Sequence, residues 1–403
     1  MQPGAANSDE IGMRKALLPV AALVFPLAIG CTLPAALTPV VPRAGWHLAW
    51  RAETAFAGHT TMAQTCRFTA RLTGSGSRLQ AEFTSPFTPG TGYTIAAAGI
   101  AAGAGPTSLQ PVPGTGRDLT FGGQTSVTVP AGGLVRSDPL PWQVQPGTTV
   151  EVTVTASAGD AATKGFAVEQ DACADGVLEA PTEAPAADFT QPTPVRWLRS
   201  LLVDGPAQRS IVAFGDSITE GPRGLLYQRW SDVLAATGVT VANAGVGGGE
   251  ISQTGMYGSM PGLTRAKALI AEPGITDVVM LLGINDLDVN RSAAQVLTAM
   301  RTVLTEAKTA GIRVWVRTIT PRGGSVWDRK REAVRQQVNA NLRGSWLTTQ
   351  GSPVIDTDKA IRNPLNPSAL RPSYDSGDHL HPNPAGSRIL GLTIGHALGL
   401  PVR

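Results

Sequence analysis

The sequence predicts two folds in series: an all-β, antiparallel sandwich of jelly-roll type over residues 41–204, then an α/β domain over 205–403, built as a three-layer α/β/α sandwich with flavodoxin-like strand order. Three observations carry this expectation. The chain of 403 residues is long for one hydrophobic core and sufficient for two. Its first half alternates apolar and polar residues in short runs punctuated by Gly and Pro, the period of a half-buried strand. Its second half alternates short apolar runs with longer helical segments, the pattern of a parallel sheet covered on both faces.

Residues 1–40 stand apart. "MRKALLPVAALVFPLAIGC", Met13 to Cys31, joins two basic residues to an apolar run from Ala16 to Ile29. That run is of signal-peptide length and too short to span a bilayer comfortably. We read it as an export signal, with Met13 as a second candidate start. "LAIGC" at Cys31 resembles a lipoprotein cleavage site, which makes Cys31 a lipidation candidate and a possible membrane anchor. The alternative is free secretion after cleavage near Ala35 or Ala36.

Of three cysteines, Cys66 and Cys173 remain once Cys31 is removed or lipidated. They are one possible disulfide pair in an oxidising compartment; two buried free thiols are the plainer alternative. No CxxC motif or Cys/His cluster points to a metal. The 33 Lys+Arg against 30 Asp+Glu give a net charge of +3 with no basic run, which argues against a nucleic-acid partner.

From Gly45 to Asp204 the strand candidates are "CRFTARLTG", "RLQAEFTS", "DLTFGG", "TSVTVPAG", "TTVEVTVTAS" and "VRWLRSLLV". In Thr148–Ser157, Val150, Val152 and Val154 share one face, and Glu151, Thr153 and Thr155 share the other, which predicts one solvated side. The Pro/Ala/Thr-rich stretch 179–194 reads as a surface connection. The domain boundary falls near Asp204.

Beyond it, "SIVAFGD", "VTVANAG", "TDVVMLLG", "IRVWVRTIT" and "PVIDT" are the five buried strands. Helices are expected over Leu225–Ala236, Leu263–Ala271, Ala293–Ala310 and Arg329–Leu347, and after Pro384. Ligands of such sheets bind beyond the carboxyl ends of the strands. The first strand ends in "GDS" with Ser217, the second in the glycine-rich "NAGVGGGE" and the third in "GIND" with Asn285; Asp378 and His381 follow the fifth. A hydroxyl, backbone amides, a side-chain amide and an Asp/His pair thus meet at one sheet edge, and these are the parts of nucleophilic acyl transfer. His381 takes the Ser217 proton, Asp378 fixes the imidazole tautomer and the amides stabilise an oxyanion. Singly, each piece also reads as a turn, a helix cap or a structural histidine; their ordered recurrence favours chemistry.

These blocks, "FGDSITEG", "NAGVGG", "GIND" and "DHLHP", resemble those of the SGNH or GDSL hydrolases. The resemblance implies an SGNH hydrolase domain with Ser217 as nucleophile, Asp378 and His381 as its partners, and an oxyanion hole made by the N–H groups of Ser217 and Gly248 and the Asn285 amide. "DLTFGGQTSVTVPAG" and "RSDPL" resemble the β-rich domain preceding such hydrolases in exported actinobacterial proteins. The expected function is an exported serine esterase that deacylates a carbohydrate or lipid without metal or cofactor. Two alternatives stand beside it: a cell-surface polysaccharide-binding protein with a vestigial hydrolase half, and a thioesterase or lysophospholipase. His379 is expected at the rim of the site. Arg322 and Trp327 either line a pocket or cover the fold.

Overall fold

A computed structural model describes residues 44–403, save 54–55, 86–89, 164–169, 193–194, 207, 222–225, 254, 256–258 and 345–350. The export run and Cys31 lie outside the described residues. The two halves together form one compact unit.

The first half contains β1 (Gly45–Arg51), β2 (Phe56–Thr60), β3 (Gln64–Arg71), β4 (Gly76–Thr84), β5 (Tyr93–Ala102), β6 (Arg117–Asp118) and β7 (Val127–Val129). It continues with β8 (Leu134–Arg136), β9 (Leu140–Val144), β10 (Thr149–Ala156), β11 (Gly159–Thr163), β12 (Asp171–Cys173), β13 (Gln191–Pro192), β14 (Val195–Arg196) and β15 (Leu198–Gly205). Pairing is antiparallel. One sheet runs β1-β15-β4-β8 with β9 also on β4; the second runs β13-β12-β3-β10-β5-β6 with β7 also on β5; β14-β11-β2 form a third.

Phe68, Val150, Val152 and Val154 of the second sheet share a core with Leu79, Phe83, Leu198 and Leu201 of the first. The two sheets therefore pack face to face. Cys66 lies opposite Cys173 across the β3–β12 pair, and the two form a disulfide. Closing a chain segment of 107 residues contributes about 2–4 kcal/mol.

One expectation is corrected here. β10 is not half-solvated: Glu151, Thr153 and Thr155 are as buried as the valines between them. They pair with β3 in a polar ladder, through Thr69 Oγ1 to Glu151 Oε2 (2.8 Å), Arg67 Nε to Thr153 Oγ1 (2.9 Å) and the Thr65 and Thr155 hydroxyls (2.9 Å). The Pro/Ala-rich stretch read as a mere connection covers this ladder. Arg67 donates to two of its carbonyls, Pro181 O (2.6 Å) and Ala184 O (2.7 Å), with its guanidinium 4.1 Å from the centre of the Phe189 ring.

The second half contains β16 (Ser210–Gly215), β17 (Thr240–Gly245), β18 (Asp277–Leu281), β19 (Arg313–Arg317) and β20 (Val354–Ile355). They are parallel in the order β17-β16-β18-β19-β20, the flavodoxin-like order. The helices are α1 (Ser217–Glu220), α2 (Trp230–Ala235), α3 (Gly262–Ile270), α4 (Ile284–Asp288), α5 (Ala293–Thr309), α6 (Arg329–Arg343), α7 (Thr357–Ile361) and α8 (Pro384–Ala397). The helix expected from Leu225 begins at Trp230, and Leu225 itself lies outside the described residues. α6 ends at Arg343, short of the expected Leu347, which is likewise outside them.

Alternation along β16 sends Val212 and Phe214 into a core shared with α3, α5 and α6, and Ile211 and Ala213 into one shared with α2 and α8. The first core also takes in Leu48 of β1 and Leu202 of β15. The β half thus supplies part of the α/β half's interior. It also covers the outer edge of β17: Thr73 Oγ1 donates to Val241 O (2.8 Å) and accepts from Val241 N (2.9 Å). That edge is no longer open for pairing with another chain.

Candidate active site

The carboxyl ends of β16, β17 and β18 converge on α1. Asp216 caps this short helix, accepting from Ile218 N at 2.9 Å, and Ser217 is its first residue. The first turn of a helix has N–H groups without intrahelical acceptors, so the Ser217 N–H is free of a helical bond by position. α1 sits directly on the strand ends: a Cβ at Gly245 would lie 2.1 Å from Glu220 N. Glycine is required there by contact. Gly248 has φ +67°, a left-handed conformation natural to glycine.

His381 comes from the loop before α8. Its Nε2 lies 2.8 Å from Ser217 Oγ, and its Nδ1 lies 2.6 Å from Asp378 Oδ2. With Nδ1–H donated to the carboxylate, Nε2 is left to accept the serine hydroxyl proton. Asp378 Oδ1 accepts from the backbone N–H groups of Leu380 (3.1 Å) and His381 (2.9 Å) and from Ser376 Oγ (3.1 Å). Burial would raise the Asp378 carboxyl, but the bonds to His381 and the backbone outweigh it and hold it well below the usual carboxylate range. Ser217 and His381 are buried, with 5% and 8% of their surface exposed, so the pair opens to solvent by a narrow face.

Asn285 lies in α4, where its Nδ2 donates to Gly249 O at 3.0 Å. One of its two amide protons is thereby used to hold the glycine-rich turn. Neither Asn285 nor Asp286 is the helix cap; Gly283 holds that place. Asp286 instead accepts from Ile251 N (2.9 Å), Ser252 N (3.2 Å) and Ser252 Oγ (2.7 Å), fastening the β17 turn to the end of β18. His379, at φ +62°, is exposed and bonds through Nδ1 to Asp375 Oδ2 at 2.8 Å. Arg322 pairs with Asp288 (3.1 Å) with its guanidinium 5.1 Å from the centre of the Trp327 ring, and so ties its loop to α4.

Two supporting residues escape sequence reading. Arg265 of α3 is fully buried and donates to Ala244 O and Gly215 O, each at 3.1 Å, joining the ends of β17 and β16. Its signal is a charge on the apolar stripe Gly262, Arg265, Ala266, Leu269. Asn243 donates to Thr219 O (2.7 Å) and Ser231 Oγ (2.9 Å), bracing α1 from below.

The sequence profile of the GDSL-like lipase/acylhydrolase family matches residues 213–389, which span all of these groups. Residues 213–389 are a GDSL-like lipase/acylhydrolase domain. The GDSL domain is a hydrolase of carboxylic esters. Similar solved structures include a member of the lipolytic G-D-S-L family from Veillonella parvula, at 20% identity over 47% of this chain and 98% of that one, with a TM-score of 0.37. Another is a GDSL-like lipase from Bacteroides thetaiotaomicron, at 21% identity over 47% and 88%, with a TM-score of 0.39. No curated protein matches the chain. The match to the GDSL domain leaves the β half of the chain outside it.

Proposed function

We propose that the protein is an exported serine esterase that deacylates a carbohydrate or lipid. Ser217 Oγ attacks the ester carbonyl, His381 Nε2 takes its proton and returns it to the leaving alcohol, and Asp378 holds the imidazole in that tautomer. The Ser217 N–H, the Gly248 N–H and the second amide proton of Asn285 meet the oxyanion. The observation that carries this reading is the unbroken chain of short contacts from Ser217 through His381 to Asp378. A binding protein with a vestigial hydrolase half has no use for such a chain. Hydrolysis of short-chain, long-chain and acetylated-sugar esters tests the reading, and inactivity on all of them would favour the binding function.

Asn285→Ala is expected to keep the nucleophile and lose about 10²- to 10³-fold in kcat. A loss confined to KM would remove Asn285 from the oxyanion hole.

Export rests on Arg14, Lys15 and the apolar run behind them, and the Cys66–Cys173 disulfide fits an oxidising compartment. Among the described residues no helix is long and apolar enough to cross a membrane. Cys31, at the end of the export run, is the lipidation candidate. Mature protein from the native host is expected to lack residues 13–30, as read by amino-terminal sequencing; their retention would remove the export reading.

A further inference from the structure

We propose that Arg317 is a positioning residue for the nucleophile: it is the counter-charge that holds Asp216 as an ionised cap of α1, and so keeps the Ser217 hydroxyl and N–H aligned with His381. The proposal rests on the serine mechanism above.

Arg317 is the last residue of β19 and is fully buried. Its guanidinium lies 4.8 Å from the centre of the Trp230 ring, and none of its three nitrogens has a hydrogen-bond partner among the described residues. A buried cation in that condition costs stability, since no hydrogen bond among the described residues repays its desolvation. What it changes is the potential around it. Val316 beside it lies in register with Met280 of β18, and Met280 with Phe214 of β16, so Arg317 and Asp216 both stand just past one row at the carboxyl edge of the sheet, and Asp216 is the charge acting on Arg317.

Asp216 is also fully buried. Its Oδ1 accepts from Ile218 N, whereas its Oδ2 has no hydrogen-bond partner among the described residues. The cations facing it are Arg317 of β19 and Arg265 of α3, and the like charge is Asp286 of α4. The hydrogen bonds of Arg265 go to the Ala244 and Gly215 carbonyls, so Arg317 is the cation with no other occupation. Burial pushes the Asp216 carboxyl up, to about 7, against the pull of the Ile218 N–H and the two arginines. Without Arg317 the balance moves further toward the neutral acid. The charge-assisted bond that caps α1 then weakens, one residue from the nucleophile.

Arg317→Met keeps the length of the side chain over Trp230 and removes the charge. The folded variant is expected to melt below the wild-type temperature at a pH where Asp216 is ionised, because that carboxylate is left without its cation, and close to the wild-type temperature at lower pH, where Asp216 is neutral. Its kcat is expected to fall by roughly 10- to 100-fold, the scale of a small misplacement of a reacting group, with KM little changed. The acid limb of the pH–kcat profile should move to higher pH. Arg317→Lys should recover most of the loss. Asp216→Asn should reproduce it, and adding Arg317→Met to Asp216→Asn should cost nothing more, whereas independent effects would multiply.

Wild-type kcat and pH profile in folded Arg317→Met, or multiplying losses in the double variant, overturn the proposal. Wild-type kcat in Asp216→Asn overturns it even if the methionine variant fails to fold. Full activity in Ser217→Ala would overturn the serine mechanism instead, which keeps the two failures distinct.

Discussion

Ser217→Ala and His381→Ala are each expected to remove ester hydrolysis almost completely, a loss on the order of 10⁶-fold in kcat, and the double variant should be no worse than either alone. Non-additivity is the sharper half of this result. At 2.8 Å the hydroxyl and Nε2 are placed to act as one device, so removing either is expected to leave the other idle. His379→Ala serves as the control, because its imidazole is spent on Asp375 at the exposed rim. Steady-state kinetics on any accepted ester decides the matter: full activity in Ser217→Ala ends the serine mechanism, and loss in His379→Ala with retention in His381→Ala would exchange the two histidines.

The second large effect is on stability. Glu272, just beyond α3, receives three arginines from the β half: Arg51 at 3.0 Å, Arg199 at 3.2 Å and Arg136 at 3.4 Å. Arg51 also holds Glu53 by two bonds of 2.9 and 3.0 Å, and Arg136 holds Glu82. The cluster of three cations and three carboxylates is balanced, and most of it is buried. Burial would raise Glu53, yet Arg51 outweighs it and keeps that carboxyl below its ordinary value. Glu272→Ala leaves one positive charge in excess in this space and is expected to cost about 3–5 kcal/mol. Urea unfolding measures it. A loss under about 1 kcal/mol would mean that the arginines are solvated and the seam is not held by charge.

The parallel sheet was legible because all five of its strands are dominated by apolar residues, and the candidate site because its polar residues sit where those runs stop. Reading failed where a strand broke its type. Tyr93–Ala102 is six-tenths alanine and glycine, which dilutes the β signal of Tyr93, Thr94, Ile95 and Ile100, and it pairs along its length with β10. The polar face of β10 suggested water but meets Arg67 and the Pro/Ala cover. A carboxylate such as Asp286 beside a helix start looks ordinary in sequence, and only the fold brings Ile251 and Ser252 to it. Arg317 was hidden within "IRVWVRTIT", where the apolar letters define the strand and the charge is passed over.

The cover over β17 bears on how the molecule is made. β1 and β15, the first and last strands of the β half, are hydrogen-bonded neighbours, so that half closes only when residue 205 is available. The next strand, β16, begins at Ser210. During synthesis the amino-terminal half therefore has all its strands just as the hydrolytic half begins to emerge. Thr73 and Leu48 are then already in place, a finished surface on which β17 can settle the moment it forms. A parallel sheet is slow to pair, and here its edge strand has a surface of the same chain to settle on.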